Sequence, residues 1–418
     1  MRAAVVASGV QAPAKRIALV ALNDLTRDSR VLKQARSFHE AGYEVWCVGI
    51  VAHSDQPLRE ELDCGVLVRV PTTSKLATAQ VGANGADQAA PDVFSTVYGG
   101  ALGSLRHFLG RVRENAKVYA RLREIAPDFV LVNDPNAGIA GLLLRTFGRT
   151  PFGYDSRELW LEVRSDTHWL FRLLWAAVER RLIRRAAFCT TVNDEIAREL
   201  ERRYKVSGVR TVYNGAIECV ECAPELGQPV QLLFQGSFAR DRNLDTLVRA
   251  MSHLNTPAVL NLQGYGAMQT ALEQIVVEQE LQEKVRFVPA CEPSGVARCA
   301  AQYDVGVICH LPVSLNHRLA APNKLFDYMA GGLAIAGSDL PVISQILRES
   351  ECGGVIDPRT PESLAASLDT LISDRERLRV MKLAATHACY RYSWAVQGRV
   401  FTDLADAALQ NKELPCRS

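Results

Sequence analysis

The sequence predicts an α/β protein made of two Rossmann-like, doubly wound parallel-sheet domains that face each other across a cleft. Its 418 residues are too many for one hydrophobic core. Short apolar runs alternate with helical stretches along the chain, and a Gly- and Pro-rich stretch at 214–229 divides this alternation in two. We therefore predict domains at 1–213 and 230–394, a linker at 214–229, and a helix with a tail at 395–418.

Apolar runs in the first half predict the strands of one parallel sheet, at 17–22, 44–50, 66–70, 129–133, 152–154, 188–192 and 209–213. Helical periodicity lies between them, for example from Ser29 to Ala41, where Gly42 ends the helix. The stretch 72–90 is rich in Thr, Ala, Gly and Gln, which predicts a loop on the cleft side.

The second half repeats the pattern, with strands predicted at 230–234, 259–262, 285–288, 305–309, 333–336 and 354–356. A helix-like segment follows each of them. Ligands of such sheets bind at the carboxyl ends of the strands, so the cleft between the domains is the predicted site.

Composition excludes several classes of protein. With 48% hydrophobic residues, 22% charged residues and a net charge of +2, the chain is not a basic nucleic-acid binder. Eleven scattered cysteines predict buried reduced thiols, hence a reducing cytosol. Cys219 and Cys222 form one C-x-x-C without a second ligand pair, so we predict no metal site. No run approaches the ~18 apolar residues of a membrane span, which favours a cytoplasmic protein.

The strongest local motif is Ala321-Pro322-Asn323-Lys324-Leu325-Phe326-Asp327-Tyr328-Met329-Ala330-Gly331-Gly332. Pro322 suits a helix start and Gly331 a helix end, so Asn323 and Lys324 lie where free backbone N–H groups attract phosphate. Asp327 lies on the same helical face and can accept hydrogen bonds from two sugar hydroxyls, such as those of a ribose. The alternative is a capped helix in which Asp327 only pairs with Lys324.

A second motif runs from Phe234 to Leu244, after the first strand of the second half. Gly236 at the strand end lets a ligand approach the backbone, and Arg240 and Arg242 can clamp a diphosphate. Alone, this pattern also fits a solvated surface loop.

Polar clusters end three strands of the first half: Asn23, Asp24, Asp28 and Arg30; Asn133, Asp134 and Asn136; Asp155, Ser156, Arg157 and Glu158. They suit a polyhydroxylated ligand, although each also fits a helix cap or a turn. The sequence has no P-loop, no G-x-G-x-x-G after a strand and no D-x-D. What remains is a phosphate clamp without metal.

Taken together, these motifs resemble the retaining GT-B glycosyltransferases of family 4, the glycosyl transferases group 1. The likeness covers nearly the whole chain through these segments: Asp28 to Arg30, Tyr154 to Leu159, Val212 to Gly215, Gly236 to Arg242, Pro322 to Gly332 and Tyr392 to Trp394. In such proteins a helix after the last segment returns to the first domain, which would be the acceptor side. The second domain would bind the nucleotide sugar.

The resemblance implies roles for single residues. Arg242 would bind the donor diphosphate, Lys324 would add a second phosphate contact, and Asp327 would bind the ribose, while Gly264 and Gly266 would flank the nucleobase. The family uses no metal or other cofactor, and retention is attributed to attack on the same face as the departing phosphate. Stabilising charge on that phosphate is then the main catalytic task.

Three positions depart from the family pattern. Leu319 stands where a sugar-binding glutamate is usual, Ser237 replaces an arginine beside Gly236, and Arg157 replaces a histidine found in many members. We expect Asn316, His317 and Arg318 to take over sugar contacts and Arg240 to replace the missing arginine.

The resemblance thus implies transfer of a hexosyl or N-acetylhexosaminyl group from a nucleotide-diphosphate sugar, UDP-linked rather than GDP-linked, to a carbohydrate, lipid-linked or small-molecule acceptor. Two alternatives stay open: a sugar-nucleotide epimerase or hydrolase on the same fold, and a non-catalytic sugar-nucleotide-binding protein, which Leu319 and Ser237 would suit.

The stretch Phe171 to Arg185 sets apolar positions at helical spacing opposite several arginines. It predicts either contact with the inner face of an anionic membrane or a helix that covers the sheet with a solvated basic face.

Overall fold

The computed structural model describes residues 14–26, 28–53, 55–72, 100–163, 167–221, 225–292 and 295–410. These ranges form two α/β domains, each a twisted sheet with helices on both faces, so the predicted fold class is confirmed. Residues 73–90 of the predicted cleft-side loop lie outside the described ranges.

The first domain has a sheet of eight strands in the order β3-β4-β2-β1-β5-β6-β7-β8. The strands are β1 Arg16–Val20, β2 Glu44–Ile50, β3 Arg59–Leu62, β4 Gly65–Val70, β5 Phe129–Asn133, β6 Phe152–Ser156, β7 Cys189–Thr191 and β8 Arg210–Thr211. The helices are α1 Ser29–Glu40, α2 Ala101–Ile125, α3 Asp134–Leu143, α4 Trp169–Arg185 and α5 Asp194–Tyr204, with a π-helical turn at Leu144–Gly148 and a 3-10 turn at Trp160–Glu162.

The second domain has a sheet of six strands in the order β11-β10-β9-β12-β13-β14, the doubly wound order of dinucleotide-binding folds. The strands are β9 Val230–Gln235, β10 Ala258–Gln263, β11 Val285–Val288, β12 Val305–Ile308, β13 Ala334–Ser338 and β14 Gly353–Ile356. The helices are α6 Leu244–His253, α7 Gln269–Glu278, α8 Val296–Ala300, α9 Leu315–Leu319, α10 Asn323–Ala330, α11 Pro341–Ser350, α12 Pro361–Ile372 and α13 Arg375–Tyr392, with a 3-10 turn at Arg240–Arg242. One more helix, α14 Trp394–Leu409, follows α13.

The apolar runs form strands because helices bury them on both sides. Ile17, Ala18, Leu19 and Val20 of β1 are fully buried, and Ala18 pairs in parallel with Trp46 of β2 and Val130 of β5. A strand covered on both faces must be apolar at successive positions, which is the pattern that the sequence shows.

The sequence prediction missed β3. This strand pairs antiparallel with β4 at the edge of the first sheet, so the sheet is mixed. Its sequence, Arg-Glu-Glu-Leu, has three charged residues, and an edge strand exposed to solvent needs no apolar run.

The last helix, α14, belongs to the core of the first domain. Trp394 and Phe401 are buried there beside Val31 and Phe38 of α1. The chain therefore crosses between the domains twice, and the crossings lie together, because the Trp394 N–H donates to the Ala216 carbonyl at 2.8 Å. Gly215 is required at this point, since a Cβ there would lie 1.6 Å from the Tyr392 carbonyl oxygen.

Candidate active site

The two domains enclose a cleft cavity of about 940 Å³. The first domain lines it with Asn23, Asp24, Asp28, Asp134, Arg157 and Glu158, among others. The second domain lines it with Arg242, His310, Asn316, His317, Pro322 and Asn323. Most of these residues follow the carboxyl ends of strands, where ligands of doubly wound sheets bind. His53, Gln56 and His310 line the cleft but were not among the predicted site residues.

Gly236 and Lys324 lie together in the second domain, and neither is among the residues that line the cleft cavity. Gly236 has a φ of +127°, a conformation open to glycine, and a Cβ there would lie 3.0 Å from Lys324 Nζ. The ammonium lies 4.8 Å from the centroid of the Phe234 ring. Burial, reinforced by the charge of Arg242, lowers the pKa of Lys324 to about 8. Within the described ranges no carboxylate is hydrogen-bonded to this ammonium, so a ligand anion can become its partner.

Gly264 and Gly266 hold the shape of the loop after Gly236. The Phe238 N–H donates to the Tyr265 carbonyl at 2.9 Å, and a Cβ on Gly264 would lie 1.9 Å from the Gly236 carbonyl oxygen. The two loops are thus packed backbone to backbone. Neither glycine is among the residues that line the cleft cavity.

Arg242 points into the cleft from the 3-10 turn that precedes α6. Its Nη1 lies 3.4 Å from His310 Nε2 and 3.6 Å from a carboxylate oxygen of Asp241. Burial, with the charges of Lys324 and Arg242, lowers the pKa of His310 to about 3. The imidazole is therefore neutral at physiological pH, and its Nε2 can accept a hydrogen bond from the guanidinium.

Arg240 and Ser237 are arranged differently from the prediction. Both are exposed, and neither lines the cleft cavity. Arg240 and Arg242 are two residues apart on one 3-10 turn, where the side chains point in different directions, and only Arg242 is directed at the cleft.

Asp327 lies within reach of two cations, one from each domain. Burial raises its pKa to about 6, while Lys33 and Lys324 oppose that shift. Lys33, on α1, was not predicted as a site residue; its ammonium donates to Asn214 Oδ1 at 3.1 Å and to the Gly215 carbonyl at 2.7 Å. Burial lowers the pKa of Lys33 to about 8.

The start of α10 is tied to the linker. Asn214 Nδ2 donates to Asn323 Oδ1 at 2.9 Å, and Pro322 caps the helix rather than occupying its first turn. No side chain caps the first turn, so the N–H groups of Asn323 and Lys324 remain available, while the Leu325 N–H donates to the Pro322 carbonyl at 3.0 Å.

Arg157 is neutralised by two carboxylates of the first domain. It pairs with Asp28 at 2.5 Å and, more tightly still, with Asp134. Asp28 also caps α1 by accepting from the Val31 N–H. Although burial opposes it, the two carboxylates hold the pKa of Arg157 well above its usual value. Asp28, Asp134 and Arg157 therefore form a closed ion-pair network in this half of the cleft.

Asp155, predicted to contact substrate, lies beneath the cleft, whereas Arg30 lines the cavity as predicted. Asp155 is fully buried and forms a two-pronged pair with Arg30 at 2.7 and 2.9 Å. Gln34 and Thr190 occupy its remaining acceptor positions. Alternate side chains of a strand point to opposite faces, and Asp155 points to the face covered by α1. Its role in this structure is to join β6 to α1.

Helix α9 of the second domain reaches across the cleft. Asn316 accepts from the Leu159 N–H at 2.9 Å and donates to Glu158 at 3.3 Å. Leu315 and Leu319 pack against the core of the first domain, and Asn193 donates to the Leu319 carbonyl at 2.8 Å. Leu319 thus contacts the other domain at the position where the family pattern has a glutamate.

Two titratable groups lie beside this helix. Burial, with the charge of Asp134, raises the pKa of Glu158 to about 7. His317 lies 3.3 Å from Asp241, and that hydrogen bond is the main cause that lowers the pKa of Asp241 to about 2. His317 therefore lines the cleft and also hydrogen-bonds to Asp241.

The prediction of reduced thiols is wrong for four cysteines. Cys219 is paired with Cys389 and Cys291 with Cys299, and the first pair joins residues 170 positions apart, which no local spacing could indicate. The cytoplasmic location was predicted in part from reduced cysteines, and the two disulfides remove that support. Cys222 and Cys416 lie outside the described residues. Within the described ranges, no group of three or more His, Cys, Asp or Glu side chains is placed to hold a metal ion.

Two doubly wound domains that face a cleft, with Arg242 and the start of α10 lining it, have the arrangement of GT-B glycosyltransferases. Family models agree. Residues 28–215 match the glycosyl transferase 4-like domain, and residues 229–374 match the glycosyl transferases group 1. The chain therefore belongs to the group 1, family 4-like glycosyltransferases of the GT-B fold.

Solved structures are similar along nearly the whole chain. Sucrose-phosphate synthase from Thermosynechococcus elongatus is 16% identical, with a TM-score of 0.74 over 95% of this chain and 100% of that one. Anabaena HepE in complex with UDP is 13% identical, with a TM-score of 0.65 over 94% and 100%. WaaG, a glycosyltransferase involved in lipopolysaccharide biosynthesis, is 16% identical, with a TM-score of 0.62 over 93% and 99%. No curated protein matches the sequence significantly.

Proposed function

We propose that this glycosyltransferase moves a hexosyl or N-acetylhexosaminyl group from a UDP-sugar to a hydroxyl acceptor, without metal and with retention of anomeric configuration. The observation that carries the proposal is the placement of Arg242, which lines the cleft, near the buried Lys324, whose ammonium lies beside Gly236. A bare backbone, a buried ammonium and a guanidinium held by a neutral histidine form a site for a diphosphate.

The charge at this site favours a diphosphate anion. The pKa of Lys324 is lowered because burial and Arg242 disfavour its charged form. An anion between the two cations would reverse that effect, so each cation is better stabilised with the ligand than without it. The open N–H groups at the start of α10 add donors that carry no proton to lose. These groups can neutralise the charge of the diphosphate, which a metal ion does in other transferases.

Asp327 supports recognition of the ribose. It follows Lys324 by three residues, one turn further along the same helix, and Lys33 and Lys324 keep it ionised near neutral pH despite burial. An ionised carboxylate accepts hydrogen bonds from two neighbouring hydroxyls. We prefer uridine to guanosine as the base, a choice that draws on the UDP complex of the structural relative HepE.

Retention follows from the proposed path of the proton. The bond between the anomeric carbon and the diphosphate oxygen breaks, and the acceptor oxygen bonds to that carbon on the same face. The acceptor's proton passes to the leaving diphosphate, whose charge Arg242 and Lys324 stabilise. Arg157 is already neutralised by Asp28 and Asp134, so the first-domain half suits acceptor hydroxyls.

The test begins with ligand binding. UDP should raise the melting temperature without added metal and in the presence of a chelator, because binding to the native state alone stabilises it. GDP should give a smaller shift. A shift abolished by the chelator would contradict the metal-free clamp.

Activity is tested next with radiolabelled sugar nucleotides and a cell extract as the source of acceptor. Label in a new product supports transfer, and the anomeric configuration of that product tests retention. An altered sugar nucleotide would identify an epimerase, released free sugar a hydrolase, and binding without turnover a non-catalytic protein. Each of these three outcomes would contradict the proposal.

A further inference from the structure

Helix α4 presents a different face to solvent from the one that its sequence suggests. Its apolar positions Phe171, Trp175 and Leu182 are buried against the sheet, so they cannot meet a membrane. Trp169 and Leu173 remain outside, with exposed fractions of 65% and 58%. Large apolar side chains that stay exposed next to a complete core indicate a contact surface.

The exposed side chains of α4 lie on one stripe. Trp169, Leu173, Arg180 and Arg184 are spaced by 4, 7 and 4 residues, which places them within a narrow arc of an α-helix. The stripe is apolar in its first half and basic in its second. None of its arginines contacts a carboxylate of the described residues.

Helix α2 repeats this design. Leu102, Leu105 and Leu109 are exposed at the start of the helix, and Arg106 and Arg113 lie on the same side. Buried residues such as Ser104 occupy the opposite side. The two helices thus share an order of apolar residues first and arginines afterwards.

The two apolar ends lie together near the cleft. His107 of α2 is 5.5 Å from Phe171 of α4, and Phe108 of α2 is 5.2 Å from Trp175, as ring centroids. Helix α4 begins after the carboxyl end of β6, which is the end of the sheet that faces the cleft. The apolar patch is therefore beside the first-domain half of the site.

The charge of these helices is strongly positive. Helix α2 has six basic and two acidic side chains, and α4 has five basic and one acidic. Of the acidic ones, Glu114 and Glu179 are buried. Arg111 is buried as well, in an ion pair with Glu114, and the other basic side chains of the two helices still outnumber the acidic ones, although the whole chain has a net charge of only +2. Adjacent apolar and basic side chains complement an anionic lipid surface, where the former enter the interface and the latter meet the headgroups.

We propose that this outer helical face, formed by Leu102, Leu105, Leu109, Trp169 and Leu173 with Arg106, Arg113, Arg180 and Arg184, docks the protein on an anionic membrane. No helix in the described ranges is long and apolar enough to span a bilayer, and the proposed contact is peripheral. Together with the proposed function, on which this step rests, the docking presents the cleft to an acceptor carried by a lipid.

The experiment measures binding of the full chain to vesicles of phosphatidylcholine, alone or with about 30% phosphatidylglycerol. Wild type should bind only the anionic vesicles and should be released by salt. Trp169→Ser with Leu173→Ser should lower the partition coefficient by at least about tenfold. Arg180→Gln with Arg184→Gln should lower it by about fivefold per charge removed.

Matched controls use exposed valines of the second domain. Val277→Ser and Val380→Ser remove apolar side chains that are 64% and 56% exposed, and they should leave vesicle binding unchanged. All variants should keep the melting temperature and the UDP affinity of wild type, because the outer helical face does not line the cleft.

Three results would overturn the proposal: no binding to anionic vesicles, equal losses in the control variants, or a dimer in solution that the outer-face variants dissociate. The last result would mean that a second copy covers the face. Vesicle binding by a protein that binds no sugar nucleotide would refute the proposed function alone, and UDP binding without vesicle binding would refute the docking alone.

Discussion

Replacement of Arg242 by alanine tests the diphosphate site most directly. The guanidinium is about one-third exposed, lines the cleft and is held by the neutral His310 at 3.4 Å. Its only carboxylate contact among the described residues is the loose one with Asp241 at 3.6 Å. The side chain therefore contributes little to folding and is free to bind a ligand.

The expected size of the effect follows from these contacts. A hydrogen bond to a charged group is worth about 1.5–3 kcal/mol, so Arg242→Ala should weaken UDP binding by roughly 10- to 150-fold. Turnover should fall further, because charge on the leaving diphosphate is greatest in the transition state; a lost oxyanion donor costs about 2.7–4 kcal/mol. The free energy of unfolding should change by no more than about 0.5 kcal/mol.

Arg240→Ala is the matched control. Arg240 lies on the same 3-10 turn, carries the same charge and is exposed away from the cavity. Calorimetric titration with UDP, release of UDP from a UDP-sugar, and the melting temperature should be measured for both variants. Equal UDP affinity in Arg242→Ala and Arg240→Ala would refute the assignment, and equal losses in both would reduce it to an effect of net charge.

Three further predictions concern single groups. Above pH 8, UDP affinity of the wild type should fall by up to about tenfold per pH unit as Lys324 loses its proton. Lys324→Arg should flatten this slope in pH-dependent calorimetry; a slope that persists would assign the titration to Lys33. The pKa of Glu158 is raised to about 7 in the folded state, so its protonated form contributes to the free energy of unfolding. That contribution is fully present below pH 4.5 and is lost as the pH rises through 7. Glu158→Gln, which cannot ionise, should therefore be more stable than wild type at pH 8, by at most about 3 kcal/mol in denaturant titrations, and no more stable at pH 4. Trp394→Ala should cost about 3–5 kcal/mol of unfolding free energy, because the indole is buried and donates to Ser37 and to the Lys33 carbonyl. A loss below about 1 kcal/mol would mean that α14 is not part of the first-domain core.

The sheets could be predicted from the sequence because a strand buried on both faces consists of successive apolar residues. Ile17 to Val20 and Val305 to Ile308 are buried without exception, and such runs are visible without knowledge of their neighbours. The edge strand Arg59–Leu62 has no such mark, because only its pairing with β4 defines it.

The site could be predicted only where the backbone itself carries the signal. Gly236 and the helix start at Asn323 could be predicted, because a glycine after a strand and a proline before a helix indicate the backbone conformation from neighbouring residues alone. Asp155 looked equally functional, yet its partner Arg30 comes from a helix 125 residues earlier. Lys33 and His310 were missed for the same reason, since their partners are distant in sequence.

The paired crossings at Ala216 and Trp394 make the second domain an insertion within the first. The chain leaves the first domain at Ala216 and returns to it at Trp394, and these two residues are joined by a 2.8 Å hydrogen bond. The segment between them can therefore be replaced without moving the first-domain residues on either side. A chimaera with another donor specificity should therefore exchange the whole segment between these two points, as a cassette. A chimaera with a single junction near residue 215 would give the first domain a foreign last helix, and its core would have to accept another protein's Trp394 and Phe401.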